Sequence, residues 1–342
     1  MKKKIAILLV TILIIGGFFA YQFYSKIYHN NVIKTAYIYI PAKADFNKIQ
    51  ELLNPFLKNK NSFVWVAQKK NYQNKIRSGK FMITEGMSNN ELVDHLRGGE
   101  AETVKLMFNN QDTFEKLSGR IAIQIEADSV SILRVLQDDD FLKKNHFNSS
   151  TALAMYIPNS YELYWDTSAE QFRERMLKEY HSFWNDERLE NAKKQNLTPL
   201  EVSILASIVQ KETALVIERP TVAGLYLNRH HDNWPLQADP TIIYALKQKH
   251  GQDAVFKRVL YKDLSIDSPY NTYQNIGLPP GPISMPDISS IDAVLVPKAH
   301  SYYYMCASVS QIGKHEFAKS LKQHNINARK YQNWLNKQGI NR

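Results

Sequence analysis

The 342-residue chain carries 43 Lys+Arg against 33 Asp+Glu, a formal net charge of +10, with 44% hydrophobic and 22% charged residues. That is a globular composition, neither disordered nor collagen-like, and long enough for two domains. A single cysteine, Cys306, excludes an intramolecular disulfide framework and a cysteine-built zinc or iron–sulfur centre.

Residues 5–24 form a run without charge, polar only at Thr11 and Gln22. As a helix it spans about 30 Å, the thickness of a hydrocarbon core. Lys2, Lys3 and Lys4 precede it, so the positive-inside rule predicts a cytoplasmic tail at 1–4, a transmembrane helix at 5–24 and export of the rest. Tyr21, Phe23, Tyr24 and Tyr28 suit the outer interface. The rival reading is a cleaved signal peptide, but Phe18, Phe19 and Tyr21 around Ala20 are poor for a small-residue cleavage site. With no cysteine after the run, a lipoprotein is excluded.

Residues 31–105 read as a small α+β module. Tyr37 to Ile40 predicts a strand halted by Pro41, and Phe46, Ile49, Leu52, Leu53 and Phe56 recur at helical spacing. Gly79 to Ile83 predicts a second strand. Ser88 with Glu91 is a capping box opening a helix that ends at Gly98-Gly99. The larger domain, 106–342, is mixed, with helical patterns at about 129–145 and 168–195. Its segment 268–298 contains Pro269, Pro279, Pro280, Pro282, Pro286 and Pro297, and its apolar content predicts an ordered loop. A strand is expected around Tyr302 to Met305 and a helix over 316–338.

Chemistry concentrates after residue 198. Thr198-Pro199-Leu200-Glu201 combines an N-cap, a proline at the first helical position and a capping-box glutamate. The following stripe runs through Leu205, Ile208 and Val209, and Glu212 falls on the same face, with Ser203, Ser207, Gln210 and Lys211 toward the others. A carboxyl group on a buried stripe is harder to ionise, which suits a general acid near neutral pH. The competing reading is a frayed helix end where Glu212 reaches water or pairs with Arg219. Periodicity alone favours the frayed end, and position by itself does not establish catalysis. The segments that follow are rich in Asn, Gln, Tyr and Pro, which suits a sugar polymer: amides bond hydroxyl and acetamido groups, and rings stack on pyranose faces.

The runs LASIVQKET (205–213), ERPTVAGLYLNR (218–229), LQADPTIIYAL (236–246), SPYNTY (268–273), GLPPGPIS (277–284) and GKHEF (313–317), with a later HN, resemble the endolytic murein transglycosylase family, also called MltG or YceG-like. IPNSYELYWDTS at 157–168 extends the match more weakly. The resemblance implies an N-terminal anchor in the bacterial cytoplasmic membrane, a LysM-like module and a catalytic domain on the outer side. It also implies cleavage between N-acetylmuramic acid and N-acetylglucosamine within peptidoglycan strands, ending strand growth. The family's catalytic glutamate corresponds to Glu212. Many members carry a second Glu where this chain has Gln210, leaving Glu212 as the one carboxylate of that run. Asn159-Ser160 stands where Asp-Thr is frequent, and Lys314 where Gly is, departures that bear on the substrate groove.

By that resemblance Glu212 protonates the glycosidic oxygen, then takes the proton of the muramic C6 hydroxyl as it attacks C1. The product is a 1,6-anhydro end made without water, by one carboxyl group where ordinary glycosidases use two. Asn228, Gln237, Asp239, Tyr270, Asn271 and Tyr273 are the candidate substrate-binding residues, and wall synthases are expected partners. No cofactor is called for. Asp239 has a plain reading as part of an Asp-Pro turn or as an N-cap for a helix over 241–249; were it catalytic, a hydrolytic muramidase would follow. A non-catalytic wall-binding scaffold is the other alternative.

Metal catalysis and nucleic-acid binding have little support. The ten histidines form no H-E-x-x-H pairing, and there is no Walker A loop, G-x-S-x-G elbow or basic stripe. Four of the ten net charges flank the apolar run, and the remaining +6 is spread over residues 31–342. That diffuse excess suits work beside anionic lipid rather than a polyanion groove.

Overall fold

The computed structural model describes residues 2–256 and 258–338. They divide into two compact units: one up to Leu106 with Ile121–Asp128 and Tyr161–Ser168, the other Met107–Arg120, Ser129–Ser160 and Ala169 onward. The first unit thus gains two later segments that a continuous 31–105 module does not contain.

It begins with α1 (Lys2–Tyr28), the one helix among the described residues long and apolar enough to cross a membrane, at mean hydropathy 2.3. Its apolar side chains are exposed, and only its last turns meet the unit. Phe23 packs on Trp65 at 5.7 Å, and the Lys26 carbonyl accepts from Asn89 Nδ2 at 2.8 Å. Strand β1 (Ala36–Ile40) is followed by α2 (Phe46–Leu53), capped by Asp45, and α3 (Lys60–Lys69), capped by Asn59. Strand β2 (Gly79–Ile83) returns antiparallel to β1 with Ile38 opposite Phe81. Then α4 (Asn89–Gly98) starts at the expected Ser88–Glu91 capping box. The order is therefore strand–helix–helix–strand–helix, with α3 absent from the sequence expectation.

Alternation decides what this sheet buries. Ile38 and Ile40 point inward with Phe81 and Ile83, while Tyr37 and Tyr39 face out. Ile49, Leu53, Phe63, Leu92 and Leu96 close the core from the helices. Truncating a fully enclosed ring such as Phe81 to alanine costs roughly 3–5 kcal/mol.

The chain leaves this unit along β3 (Thr103–Phe108) and returns along β4 (Asn159–Tyr164), which pair with each other. The second unit holds α5 (Phe114–Ala122) as far as Arg120, α6 (Ser129–Leu136), α7 (Asp139–Lys144), α8 (Ala169–Phe183) and α9 (Asp186–Lys194). There follow α10 (Pro199–Glu212), α11 (Arg219–His231), α12 (Asp239–His250) and α13 (Ile288–Leu295). The hairpin β5 (Tyr304–Ala307) and β6 (His315–Ala318) precedes α14 (Leu321–Lys337). The expected helix over 316–338 starts only at 321, where Ser320 caps it, because His315 to Ala318 pair with β5.

Helix α10 is the hub of this unit, packed by α11, α12 and α13. Its Thr198–Glu201 capping box is formed as the sequence predicts. The expected division into apolar and polar faces is not observed: every residue from Val202 to Gln210 is buried. The polar side chains of this stretch bond to the helix's own carbonyls or to the segments that cover it. Ser203 donates to the Pro199 carbonyl at 3.0 Å. Ser207 donates to the Ile204 carbonyl at 2.7 Å and accepts from the Ile283 amide at 3.0 Å. Gln210 Oε1 accepts from the Asp287 amide and from Ser290. The proline-rich segment is thus ordered against α10. Gly281 lets the same segment pass close to the chain at Ser150, since a Cβ there would lie 1.9 Å from the Ser150 carbonyl oxygen.

Candidate active site

Glu212 is the last residue of α10. Thr213 is extended, with φ −135° and ψ 130°, and stops the helix. A short turn over Val216–Glu218 sends the chain back as α11, which packs along α10. Tyr226 therefore arrives beside the helix end, and its hydroxyl donates to Glu212 Oε1 at 2.5 Å. Gly224 lets α11 sit close to the chain at 298–300, because a Cβ would meet the Lys298 carbonyl oxygen at 2.6 Å.

A second wall comes from the start of α12. Gln237 adopts φ +50°, and its amide donates to the Thr272 carbonyl at 3.0 Å. The Ala238 amide donates to the Thr272 hydroxyl at 3.0 Å, and that hydroxyl also meets Thr241 at 2.8 Å. The N-cap of α12 is Ala238, not Asp239, which is the first helical residue. Asp239 makes no capping bond; its Oδ1 accepts from the Tyr273 hydroxyl at 2.6 Å. The third wall is the β5–β6 hairpin. Arg229 ties all three together, donating from Nε to the Tyr303 carbonyl at 2.7 Å and from Nη1 to the Leu236 carbonyl at 2.6 Å.

These walls enclose a cavity of about 210 Å³ lined by Glu212, Leu225, Tyr226, Arg229, Gln237, Asp239, Tyr273, Met305, Cys306, Ala307 and His315. Burial pushes the Glu212 carboxyl above the usual carboxylate range. The Tyr226 hydrogen bond opposes that rise, Asp239 adds to it, and His315 and Arg229 oppose it, with a net shift upward. Burial, then the charge and hydrogen bond of Glu212, hold the Tyr226 hydroxyl well above its ordinary range, so it remains a donor. Tyr273 is likewise raised, by burial and then by Asp239. The site thus offers a carboxyl group that keeps its proton to unusually high pH, with a donor ready for the carboxylate once that proton leaves.

Behind the cavity, Glu218 is 7% exposed. Burial pulls its acidity one way, but the His315 amide, the His315 ring and the Thr213 hydroxyl outweigh it and hold the carboxyl below its usual range. Arg219 pairs with Asp287 and Ser289 rather than with Glu212.

Of the residues singled out from sequence, Glu212, Gln237, Asp239 and Tyr273 meet in the cavity. Asn228, Tyr270 and Asn271 do not line it. Asn228 Nδ2 donates to the carbonyls of His300 and Tyr302, both at 3.0 Å. Asn271 is 0% exposed and bonds the Leu264 and Ile266 carbonyls and the Tyr273 amide. Tyr270 packs on Tyr244 with ring centroids 4.6 Å apart. Sequence reasoning missed Tyr226, Arg229 and His315. Tyr226 and Arg229 sit inside the quoted 218–229 run and His315 inside 313–317, but helical spacing does not say whose hydroxyl or ring turns toward Glu212. Among the described residues no cluster of three His, Cys, Asp or Glu side chains forms a metal-binding group.

The profile of the YceG-like family matches residues 38–330. An endolytic murein transglycosylase of Bacillus subtilis (strain 168) is 29% identical over 338 residues, covering 93% of this chain and 91% of that protein. One from Streptococcus pneumoniae serotype 2 (strain D39) is 26% identical over 354 residues, covering 93% of this chain and 63% of that protein. A crystal structure of a putative yceG-like protein from Listeria monocytogenes superposes with a TM-score of 0.57 at 27% identity, over 86% of this chain and 98% of that one.

Proposed function

The chain belongs to the YceG-like family, and we propose that it is a membrane-anchored endolytic lytic transglycosylase of peptidoglycan. The observation that carries the reading is Glu212: one carboxyl group whose ionisation burial disfavours, at the end of a helix buried from Val202 to Gln210 and on the wall of a cavity. Two relatives that span most of this chain bear the name of that activity.

In the reaction Glu212 donates its proton to the glycosidic oxygen between N-acetylmuramic acid and N-acetylglucosamine, as C1 becomes oxocarbenium-like. Tyr226 stabilises the carboxylate that forms, since hydrogen bonds to charged acceptors are the strong ones. The C6 hydroxyl of the same sugar closes on C1, giving a 1,6-anhydro end and terminating the strand. Gln237 and Tyr273 offer an amide and a ring to the sugar from the α12 side. Helix α1 anchors the enzyme, with Lys2 to Lys4 kept in the cytoplasm and the chain that follows the helix outside. The strand–helix–helix–strand order of the first unit supports the LysM-like reading, and wall synthases are the expected neighbours.

Digestion of purified peptidoglycan, read by mass spectrometry, tests this. The expected products carry anhydro ends, lighter by one water than hydrolytic ends, and Glu212→Gln abolishes them while leaving the fold intact. Asp239 shares the cavity and gives a hydrolytic muramidase its second carboxylate; products with reducing ends alone establish that reading instead. A scaffold releases no soluble fragments at all.

A further inference from the structure

His315, the first residue of β6, is gripped twice by one carboxylate. Its amide donates to Glu218 Oε1 at 2.7 Å, and its ring Nδ1 lies 2.8 Å from Glu218 Oε2. Glu218 is buried, accepts a third bond from Thr213, and does not line the cavity. An ionised carboxylate only accepts hydrogen bonds, so Nδ1 carries the hydrogen. That fixes the tautomer of the neutral ring and leaves Nε2 as the nitrogen with a free lone pair. The side chain keeps 18% of its surface exposed, and His315 is part of the cavity wall that also holds Glu212. A buried carboxylate orienting an imidazole through Nδ1–H is the arrangement by which proteins aim a histidine base.

We propose, on the reading that this is a lytic transglycosylase, that His315 is the general base that takes the C6 hydroxyl proton, with Glu218 as its positioning residue. The protons divide between two groups. Glu212 gives its proton to the leaving oxygen as the C1–O bond breaks. The O6–H bond then breaks, O6 bonds to C1, and the proton passes to Nε2 of His315. Glu212 is left as carboxylate and His315 as imidazolium, and a proton returned through solvent restores both. The Tyr226 hydrogen bond favours this division, because a carboxylate stabilised by a donor is a weaker base.

The bland alternative is that Glu218 and His315 only staple the hairpin to the turn after α10. His315→Asn separates the two, since the asparagine amide keeps a donor toward Glu218 but removes Nε2. The experiment compares full-length parent and variant on purified peptidoglycan. Expected is a fall in anhydro-end formation on the order of 100-fold, with an unchanged melting temperature. The fraction of hydrolytic ends rises, because water captures the cation that O6 no longer reaches in time. A variant with the parent's rate and product ratio overturns the proposal. If the Asn variant does not fold, His315→Ala is assayed with added imidazole: restored rate supports the base role, and no restoration refutes it. A parent enzyme yielding only reducing ends rejects the transglycosylase reading itself, whatever His315 does.

Discussion

Replacing Tyr226 by Phe isolates the hydrogen bond that its hydroxyl makes to the proposed acid. The ring is 1% exposed and stays buried in the variant, so packing along α10 and α11 is retained and only the hydroxyl is lost. A hydrogen bond to a charged acceptor contributes about 1.5–3 kcal/mol. If about half of the carboxylate charge has developed at the transition state, about half of that is lost there, slowing kcat roughly 4- to 12-fold. The pH profile supplies a sign independent of magnitude. The Tyr226 bond lowers the Glu212 carboxyl against a net upward shift set first by burial, so its removal lifts the group further. Glu212 must be protonated to act, and the alkaline limb of kcat/KM therefore moves to higher pH in Tyr226→Phe. The assay is anhydro-end release from peptidoglycan at a series of pH values. An unchanged kcat, or a limb that moves down, refutes the assignment of Glu212 as the acid held by Tyr226.

Asp239→Asn removes a charge that raises Glu212, so the same alkaline limb moves to lower pH, opposite to Tyr226→Phe; a limb that stays in place in the pH series removes Asp239 from the electrostatics of the site. Asn271→Ala breaks three hydrogen bonds of a fully buried amide; at about 1 kcal/mol each, unfolding in urea is expected to lose roughly 3 kcal/mol. Gln210→Ala leaves the Asp287 amide without its acceptor and costs about 1–3 kcal/mol in the same measurement, whereas Gln210→Glu keeps an acceptor oxygen and loses less.

Most of the local structure is legible in the sequence wherever a chemical device sits at the boundary. The capping boxes at Ser88–Glu91 and Thr198–Glu201 start their helices as expected, and the strands at 36–40 and 79–83 follow their alternation. Failures occur where tertiary partners decide. Residues 315–318 look continuous with the helix after them, but strand pairing with β5 draws them out. Helix α10 reads as amphipathic because Ser203, Ser207 and Gln210 interrupt its aliphatic pattern. Ser203 turns its hydroxyl back on the Pro199 carbonyl, while Ser207 and Gln210 are matched by donors from the 283–290 segment, and no periodicity reports such a match.

The Asn- and Tyr-rich motifs likewise take their meaning from tertiary partners. Read alone, their amides invite assignment to sugar hydroxyls. In the fold, Asn228 and Asn271 spend their amides on backbone carbonyls of segments 300–302 and 264–266, and Arg229 does the same for 303 and 236. These segments are irregular loops, a strand end or the end of a short 3-10 turn (Tyr261–Ser265), whose carbonyls lack partners in a regular ladder and are costly to bury unpaired. A cavity wall built from loops therefore needs such side chains behind it before it has any to spare for a ligand. Clustering of polar residues leads to the cavity, yet it marks the supports as strongly as the residues that line it. What distinguishes the contacts is a functional group left over after the backbone is satisfied. Glu212, Gln237, Asp239, Tyr273 and the Nε2 edge of His315 are the cavity groups on which that test should next be made.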